Sequence, residues 1–426
     1  MKALLLFLYA YLTLSLCAQS PPERSAPAHI KTVKLYRNGD PTSFPLIQLG
    51  SQNALELHFD DLEGDVKQYF YAYQLCNWDW TPVQLTPFEY THGFQNTRIT
   101  NYRVSSLTPL RYTHYQAQLP DRSSGPTRAG NYLLRVFLNG DTSKTIFTRR
   151  LVVTTNRANI VARLQQPFSA QYFRTAQMLN IVARTDSRLN VLSPQDVKMV
   201  VLQNNNWASA IAFDRPTIFR GNYYEYNDEA QTTMPGGKEW RWADLRSFRL
   251  KSDRMVLLDA QRDTPRVELK TDVSRSGLVY AFYRDINGAF TNEALENINP
   301  FWQADYGWVR FSYAPPDGRP IAGSNLLLIG EFTNWGQDTS ARMQWNEDVG
   351  QYEKTLLLKQ GFFNYAYATQ SASGEGPLDA TATEGNFWAT ENVYTVLMYF
   401  RPFGARFDEA IGANTVSSQF GQPGIR

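Results

Sequence analysis

Cysteine is scarce in this chain, so we expect no internal disulfide to contribute to its stability. Cys17 and Cys76 are the two cysteines among 426 residues. Cys17 falls in an N-terminal apolar run that has the features of a cleaved leader, and its removal leaves Cys76 without an internal partner. The mature chain therefore needs hydrophobic cores large enough to hold it together without covalent links.

Histidine is also rare, with four residues and no His-x-His or His-x-x-x-His spacing. Such spacings bring imidazoles together on one metal ion, so the sequence predicts no metal site. We expect structural roles for all four, His29, His58, His92 and His114. Cys76 follows a strand and precedes aromatic residues, which indicates a buried thiol with no catalytic role.

The chain has almost no excess of charge of either sign. It carries 42 basic and 40 acidic residues, for a net charge of +2. A balance of this kind gives no long-range field to gather nucleic acid or anionic lipid. We therefore expect that the protein binds neither nucleic acid nor anionic lipid.

Motifs of catalysis and of cofactor binding are missing as well. The sequence has no Gly-x-Ser-x-Gly elbow, no phosphate-binding glycine loop and no dinucleotide fingerprint. Asp60, Asp61 and Glu63 form the closest group of acids, and adjacent acids after a strand usually mark an exposed turn. We predict a non-enzymatic protein that needs no cofactor.

Long apolar runs are confined to the N-terminus, where Lys2 precedes the run from Ala3 to Leu16. This run is too short to span a membrane but has the length of a signal-peptide core, and Ala18 offers a cleavage point. We expect a signal peptide over residues 1–18 and an exported protein. Acylation of Cys17 is the alternative, although Leu16 occupies a position where a lipoprotein signal needs a small residue.

Aromatic residues are plentiful at 14% of the chain, and they favour strands. Residues 55–59 and 69–75 alternate apolar and polar side chains, as strands with one buried face do. Residues 278–283 are also predicted as a strand, whereas no helix of three turns is expected. The fold class is all-β, with tandem immunoglobulin-like β-sandwich domains after the signal peptide.

Composition and turn signals place the boundaries of these domains. The predicted units are a polar lead (19–28), a first β-sandwich domain (29–154), a β-rich second domain (155–316), an immunoglobulin-like third domain (317–403) and a C-terminal tail (404–426).

The third domain opens with a segment that resembles glycogen-binding-type sandwich modules, Gly330 to Trp335. Sugar rings stack on exposed Trp and Tyr faces, so a periplasmic carbohydrate-binding protein that uses this domain is an alternative function. In such modules the Trp at this position usually packs inside the fold, and we expect the same of Trp335.

Other large aromatic residues lie in predicted loops or at strand starts, where they serve either as core residues or as anchors of a protein interface. Both interpretations stay open at this point. The candidate partner-binding residues are Trp78, Trp80, Trp240, Trp242, Trp302, Tyr306 and Trp308.

A series of segments, in this order along the chain, resembles one known family. The segments are Phe59-Asp60-Asp61-Leu62, Tyr71 to Trp80, Gly93-Phe94, Tyr112 to Tyr115, Leu119-Pro120, Gly130-Asn131-Tyr132 and Tyr399 to Asp408 followed by Ile411-Gly412. Together they are similar to the plug protein family of the type IX secretion system of Bacteroidetes-type bacteria, over about residues 30 to 415. The Trp- and Arg-rich stretch 235–246 matches no motif of that family.

The resemblance implies a periplasmic protein at the inner face of the outer membrane. Its expected partner is the giant β-barrel translocon of the secretion system, whose periplasmic opening the plug fills when no substrate is exported. The resemblance assigns no residues to that contact.

Overall fold

The structure is a computed structural model that describes residues 23–213, 215–261 and 263–419. The predicted signal peptide, the lipidation alternative at Cys17 and the last seven residues of the predicted tail lie outside these ranges. Strands dominate the described residues, so the all-β prediction is confirmed. None of the helices in these ranges is long and apolar enough to cross a membrane.

The strands are numbered in chain order. The first group is β1 (Ile30–Arg37), β2 (Leu46–Gln48), β3 (Leu55–Asp61), β4 (Tyr69–Cys76), β5 (Thr91–Gly93), β6 (Thr97–Arg98), β7 (Asn101–Val104), β8 (Thr113–Leu119), β9 (Ser124–Pro126), β10 (Gly130–Leu138) and β11 (Thr145–Thr154). The second is β12 (Ala158–Gln165), β13 (Ala176–Thr185), β14 (Val197–Gln203), β15 (Ile211–Phe213), β16 (Ile218–Arg220), β17 (Tyr223–Tyr226) and β18 (Thr233–Pro235). The third is β19 (Arg241–Asp244), β20 (Met255–Asp259), β21 (Arg266–Leu269), β22 (Asp272–Val273), β23 (Phe290–Asn292), β24 (Tyr306–Ala314), β25 (Ser324–Ile329), β26 (Gln344–Asn346), β27 (Gln351–Lys359) and β28 (Gly361–Ser371). Two strands close the chain, β29 (Val393–Phe400) and β30 (Glu409–Ser417).

The described helices are single turns, namely α1 (Pro87–Tyr90), α2 (Glu229–Thr232) and α3 (Pro300–Gln303). Short 3-10 turns occur at Thr142–Lys144, Pro194–Asp196, Trp207–Ser209, Glu331–Gly336 and Thr339–Ala341.

The first domain is a sandwich of two main sheets, with strand orders β1-β3-β8-β7 and β2-β11-β10-β4-β6. Successive side chains on a strand point to opposite faces, and β4 shows this clearly. Tyr69, Tyr71, Tyr73 and Leu75 are buried, whereas the residues between them are partly exposed. The tyrosines thus form one wall of the core between the two sheets.

The second domain is built from two separate stretches of chain. One sheet has the order β12-β13-β17-β16, and the other has the order β15-β14-β29-β30. Strand β14 pairs antiparallel with β29, with Val197 opposite Phe400 and Gln203 opposite Tyr394. Strands at the C-terminus therefore complete a domain that begins near residue 157.

The third domain is inserted between β18 and β29. Its two main sheets have the orders β19-β28-β23, with β25 also paired to β28, and β20-β21-β24-β27-β26. The predicted boundary at 316 is wrong, because β24 before it pairs with β27 after it along their whole length. The predicted tail is also wrong in part, since β30 starts at Glu409 and pairs with β29.

Segment 278–283 is not a strand, contrary to the prediction. It crosses the surface as irregular chain within the third domain. Tyr280 anchors it by stacking on Phe387, with ring centroids 4.2 Å apart. This ring contact, and not pairing with a neighbouring strand, holds the segment.

A separate apolar cluster joins the first and second domains. Phe44 and Val152 of the first domain pack with Val200, Leu397 and Tyr399 of the second. Burial of such side chains contributes roughly 1.5–3 kcal/mol each, so this contact holds the two domains firmly.

Candidate functional site

Asp60 lies at the centre of the contact between the first and third domains. It follows Glu56 and His58 on the same face of β3, because alternate residues of a strand share a face. Its Oδ2 accepts hydrogen bonds from Lys359 Nζ at 2.6 Å and from Tyr306 OH at 2.7 Å, both of the third domain. We call Asp60 and its three closest charged or polar partners, His114, Tyr306 and Lys359, the Asp60 junction.

Within the first domain, His114 faces Asp60 across neighbouring strands β8 and β3. Its Nδ1 lies 2.6 Å from Asp60 Oδ1, and its Nε2 lies 3.1 Å from His58 Nδ1. The chain of contacts ends at Glu56, whose Oε2 lies 3.4 Å from His58 Nε2. Four polar side chains thus lead from the buried junction toward the surface.

Phe301 of α3 covers these histidines from the third domain. Its ring stacks on His58 with centroids 4.4 Å apart and an interplanar angle of 10°. Its carbonyl oxygen accepts a hydrogen bond from Lys359 Nζ at 2.7 Å. Helix α3 is therefore fastened to the junction by both a ring contact and a backbone contact.

A second buried lysine crosses the same boundary. Lys34 of β1 donates to the carbonyl oxygen of Phe290 at 2.5 Å and to Glu331 Oε2 at 2.8 Å. It is 2% exposed, so its charge depends on Glu331 for compensation. Two strands of the first domain are thereby ion-paired to the third.

An open cleft of about 230 Å³ lies beside these contacts. Its wall includes Lys34, Tyr36, Glu56, His58, Glu293 and Phe301. The cleft gives solvent a route to the outer end of the histidine chain.

The electrostatics of the junction favour a charged Asp60 and a neutral His114. Burial of Asp60 taken alone raises its pKa, but the charge of Lys359 and the hydrogen bond from His114 outweigh burial and hold the pKa at about 2. Burial lowers the pKa of His114 to about 4, against the opposing effect of Asp60. The junction is a structural ion pair with a neutral imidazole beside it.

The prediction of an exposed acidic turn at Asp60 and Asp61 is wrong. Both residues belong to β3 and are fully buried. Asp61 pairs with Lys67 Nζ at 2.7 Å. The polar face of β3, with Glu56, His58 and Asp60 at alternate positions, was the available signal, and a polar face can meet another domain as well as water.

The predicted partner-binding aromatics fall into two groups in the structure, buried residues and residues with exposed surface. Trp80 and Tyr306 are 0% and 1% exposed, so the prediction for these two is wrong. Trp80 packs edge-to-face on Trp207 at 4.8 Å, with the Arg150 guanidinium 4.7 Å from its ring. Their burial is explained by junctions between domains, which the sequence did not reveal.

The other five aromatics keep exposed surface, and for them partner binding stays a prediction. They are not gathered in one cluster, because their close neighbours differ. Trp308 is 42% exposed, and the half-buried residues are Trp78, Trp240, Trp242 and Trp302.

Trp302 lies beside an open sheet edge. Strand β7 pairs only with β8 among the described residues, and all four of its residues are exposed. Ser106, just beyond β7, donates its N–H to the Trp302 carbonyl at 2.9 Å, and the Arg103 guanidinium lies 4.5 Å from the Trp302 ring. We call β7 with Leu107 and Trp302 the β7 edge.

The third domain contains its own buried ion network. Arg241 contacts Asp272 at 2.6 Å and Glu384 at 3.0 Å. Arg254 reaches Asp272 at 2.6 Å, and Arg275 reaches Glu384 at 2.7 Å. Asp272 and Glu384 each have two guanidinium partners, an arrangement that stabilises the fold of this domain.

His29, Asp61 and Glu63 are the described His, Cys, Asp and Glu side chains whose ligand atoms are close enough to share a metal ion. Lys67 already ion-pairs with both carboxylates, so its ammonium occupies the position that a cation would take. Burial raises the pKa of the Cys76 thiol to about 12, so this thiol stays protonated near neutral pH.

Trp335 is partly buried and packs edge-to-face on Trp240, with ring centroids 5.5 Å apart. Its ring also covers Gly288, where an added Cβ would lie 2.6 Å from it. These contacts occupy much of the surface on which a sugar would stack.

Comparison with known proteins places this fold in a family. Residues 30–155 match the family model described as the first domain of the type 9 secretion system plug protein. A crystal structure of a hypothetical protein from Parabacteroides merdae is 30% identical, with a TM-score of 0.87, and the match covers 93% of this chain and 99% of that one. No curated protein matches.

Two further solved structures are too different to support an argument. One is a putative membrane anchored protein from Corynebacterium diphtheriae, at 7% identity and a TM-score of 0.14, covering 90% of this chain and 91% of that one. The other is trypsin-activated alpha-2-macroglobulin from Escherichia coli, at 8% identity and a TM-score of 0.17, covering 93% of this chain and 29% of that one.

The first-domain match lies on the sandwich that carries Asp60, and the Parabacteroides structure shares the architecture of nearly the whole chain. The order of motifs along the sequence indicates the same relationship. The chain belongs to the type 9 secretion system plug protein family.

Proposed function

We propose that the chain is a non-enzymatic periplasmic plug that binds and seals the periplasmic opening of the type IX secretion translocon barrel. The observation that carries this proposal is the match of residues 30–155 to the first domain of the plug family. The partner in the proposal is the giant outer-membrane β-barrel, so the protein sits at the inner face of the outer membrane.

The way the domains are joined supports a sealing role. An open pore that passes folded cargo leaks unless a body of similar width covers it, and such a body must not deform. Lys359 and Lys34 tie the first and third domains together, and the cluster around Phe44 ties the first and second. A stable seal needs roughly 1,600 Å² of total buried surface, which three fixed domains can present.

The ion pairs of three buried acids support a non-enzymatic role. Asp60, Asp272 and Glu384 each receive at least one cationic partner inside the protein. A carboxylate committed in this way is not placed to exchange protons with a substrate.

The β7 edge is the surface we assign to the barrel contact. An unpaired strand edge offers backbone N–H and C=O groups, and aromatic anchors beside it supply apolar area. Tyr102 and Val104 are 41% and 43% exposed, and Leu107 is 82% exposed. A strand or loop of the translocon rim can pair here and cover these side chains.

Deletion of the gene tests the sealing role. Uptake of large hydrophilic solutes across the outer membrane should rise when the plug is absent and the translocon is present. A strain that lacks both should show no rise. Unchanged uptake in the plug deletion alone would contradict the proposal.

A further inference from the structure

Tyr102 and Val104 direct their backbone hydrogen-bonding groups away from the sheet. Beside them, the N–H of Ser105 donates to the carbonyl oxygen of Tyr112 at 2.8 Å, toward β8. In an antiparallel pair the backbone groups of successive residues point alternately toward the neighbouring strand and away from it. Arg103 therefore faces β8 as Ser105 does, and the N–H and C=O groups of Tyr102 and Val104 face outward. No described residue pairs with these four groups.

The open length of this edge is short, because both of its ends are occupied. At one end Ser106, which also faces outward, donates its N–H to the carbonyl oxygen of Trp302 at 2.9 Å. At the other end the chain enters the opposite sheet, where Ile99 donates to the carbonyl oxygen of Tyr69 of β4 at 2.8 Å. The four residues of β7 between these contacts span about 14 Å at the usual rise of a strand. A partner segment of similar length fits this space, whereas a long strand does not.

The two side-chain faces of the edge differ in character. Tyr102 and Val104 share one face, and the Tyr102 ring lies 5.7 Å from the ring of Tyr115, which is buried in the core of the first domain. Arg103 points to the other face, where its guanidinium lies over the Trp302 ring. Side chains directly opposite each other on neighbouring strands contact each other. An added strand therefore needs apolar side chains opposite Tyr102 and Val104, and the residue between them lies opposite Arg103.

The charge of the chain around this edge is positive. The sequence has no acidic residue between Glu89 and Asp121. Three exposed arginines lie in that stretch, namely Arg98, Arg103 and Arg111. Opposite charges on facing strands attract each other, so an acidic side chain on the added strand is the matching partner of Arg103.

A second copy of this chain does not fit the edge. Two β7 strands that pair antiparallel through Tyr102 and Val104 are related by a two-fold axis at Arg103, so the two Arg103 side chains face each other. Like charges directly opposite one another destabilise a strand pair. The charge that disfavours self-pairing is the same one that favours an acidic partner.

We propose that the β7 edge receives a short extended segment of its partner as a fifth strand of the β1-β3-β8-β7 sheet, with an acidic side chain opposite Arg103 and apolar side chains opposite Tyr102 and Val104. The segment pairs with the outward backbone groups of these last two residues, and Trp302 closes one end of the space. This inference rests on the proposed function for the identity of the partner, whereas the chemistry of the segment follows from the edge itself.

Designed β-hairpin peptides test this chemistry without the barrel. One peptide alternates valine and glutamate in its outer strand, and its counterpart alternates valine and lysine. Fluorescence anisotropy with the full chain should show saturable binding of the glutamate peptide and at least about tenfold weaker binding of the lysine peptide. Arg103→Glu should reverse this preference, and Arg103→Gln, which removes the charge alone, should abolish it.

The matched control is Arg163→Glu, which makes the same charge change at an exposed position of β12 and should leave the preference as in the wild type. Absence of binding of the glutamate peptide, equal binding of both peptides by the wild type, or an unchanged preference in Arg103→Gln would overturn the proposal.

Hydrogen exchange in the complex with the native barrel separates this inference from the proposed function. The amides of Tyr102 and Val104 should exchange fast in the free chain and become protected at least about tenfold in the complex, while the Arg103 amide is protected in both. A recovered barrel complex in which the first two amides stay unprotected would overturn strand addition and leave the plug function standing. If no barrel is recovered, the proposed function fails, and the peptide result alone decides the inference.

Discussion

The ammonium of Lys359 lies 2.6 Å from the carboxylate of Asp60, and the two side chains are 1% and 0% exposed. Lys359 ends β27 of the third domain, and Asp60 lies in β3 of the first. A buried ion pair contributes little net stability when it is complete, but removing one partner leaves a buried charge without compensation. Loss of either partner should therefore weaken the contact between the first and third domains.

Replacing Asp60 with Asn should destabilise the protein by about 3–5 kcal/mol, since Lys359 keeps its charge in a dry site. Urea unfolding at pH 7 measures the change. Lys359→Met should cost a similar amount, whereas the double variant should lose less than the sum of the two. Strict additivity would show that the two residues do not act as a pair.

Stability should fall in two stages as the solution is acidified. His114 is neutral in the folded state down to about pH 4, but in the unfolded chain it takes up a proton near pH 6.5, so stability declines between these values. Asp60 stays ionised in the folded state to about pH 2, so its contribution of about 2 kcal/mol is present above about pH 4 and is lost as pH falls toward 2. Unfolding free energies measured from pH 7 to pH 2.5 check both stages. The decline below pH 4 should be smaller in Asp60→Asn, and an equal decline would contradict the assignment.

Strands were predictable from this sequence, but their partners were not. The alternation of apolar and polar residues in β3 and β4 indicates that one face of each strand packs on a core. This pattern involves neighbouring residues alone. Pairing of β14 with β29 joins residues almost two hundred positions apart, and no local pattern encodes that distance. In the same way, local patterns did not show that β24 pairs with β27, and the prediction placed a domain boundary at residue 316 between these two strands.

The site was less accessible to prediction than the fold. His58 and Asp60 sit on the polar face of a strand, where exposure to water is the usual outcome. Their actual cover comes from Phe301, Tyr306 and Lys359, which the sequence places far away. Trp80 was misjudged for the same reason, since its burial comes from Trp207 of another domain.

Gly93 should not tolerate a side chain. It has φ of +71°, and a Cβ at this position would lie 1.9 Å from the backbone oxygen of Ser123. Gly93→Ala should lose more than about 2 kcal/mol, because the β5–β9 pair must separate. Gly39 has φ of +79° with open space around it, so Gly39→Ala should lose only about 1 kcal/mol. Equal losses in chemical denaturation would show that the contact with Ser123 does not matter.

Trp80 and Trp302 should respond in opposite ways to truncation. Trp80→Ala removes a buried ring and should cost about 3–5 kcal/mol in thermal or chemical unfolding. Trp302→Ala should change stability by less but weaken barrel binding at least about tenfold, as expected for an interface anchor. Phe403→Ala is the control, because Phe403 is 96% exposed and lies outside the β7 edge. Equal binding by Trp302→Ala and Phe403→Ala would remove the β7 edge from the interface.

Soluble glucans should give no binding heat in calorimetry. Trp240 and Gly288 already contact the ring of Trp335, so little of its face is free for a sugar. A saturable heat that disappears in Trp335→Ala would support the carbohydrate-binding alternative instead.

The most direct test is native purification of the affinity-tagged chain from detergent-solubilised outer membranes, with its partners identified by mass spectrometry. The proposed function predicts one giant β-barrel protein in stoichiometric amount, retained in Phe403→Ala and depleted in Trp302→Ala. Recovery of the folded chain without any large membrane partner would contradict it.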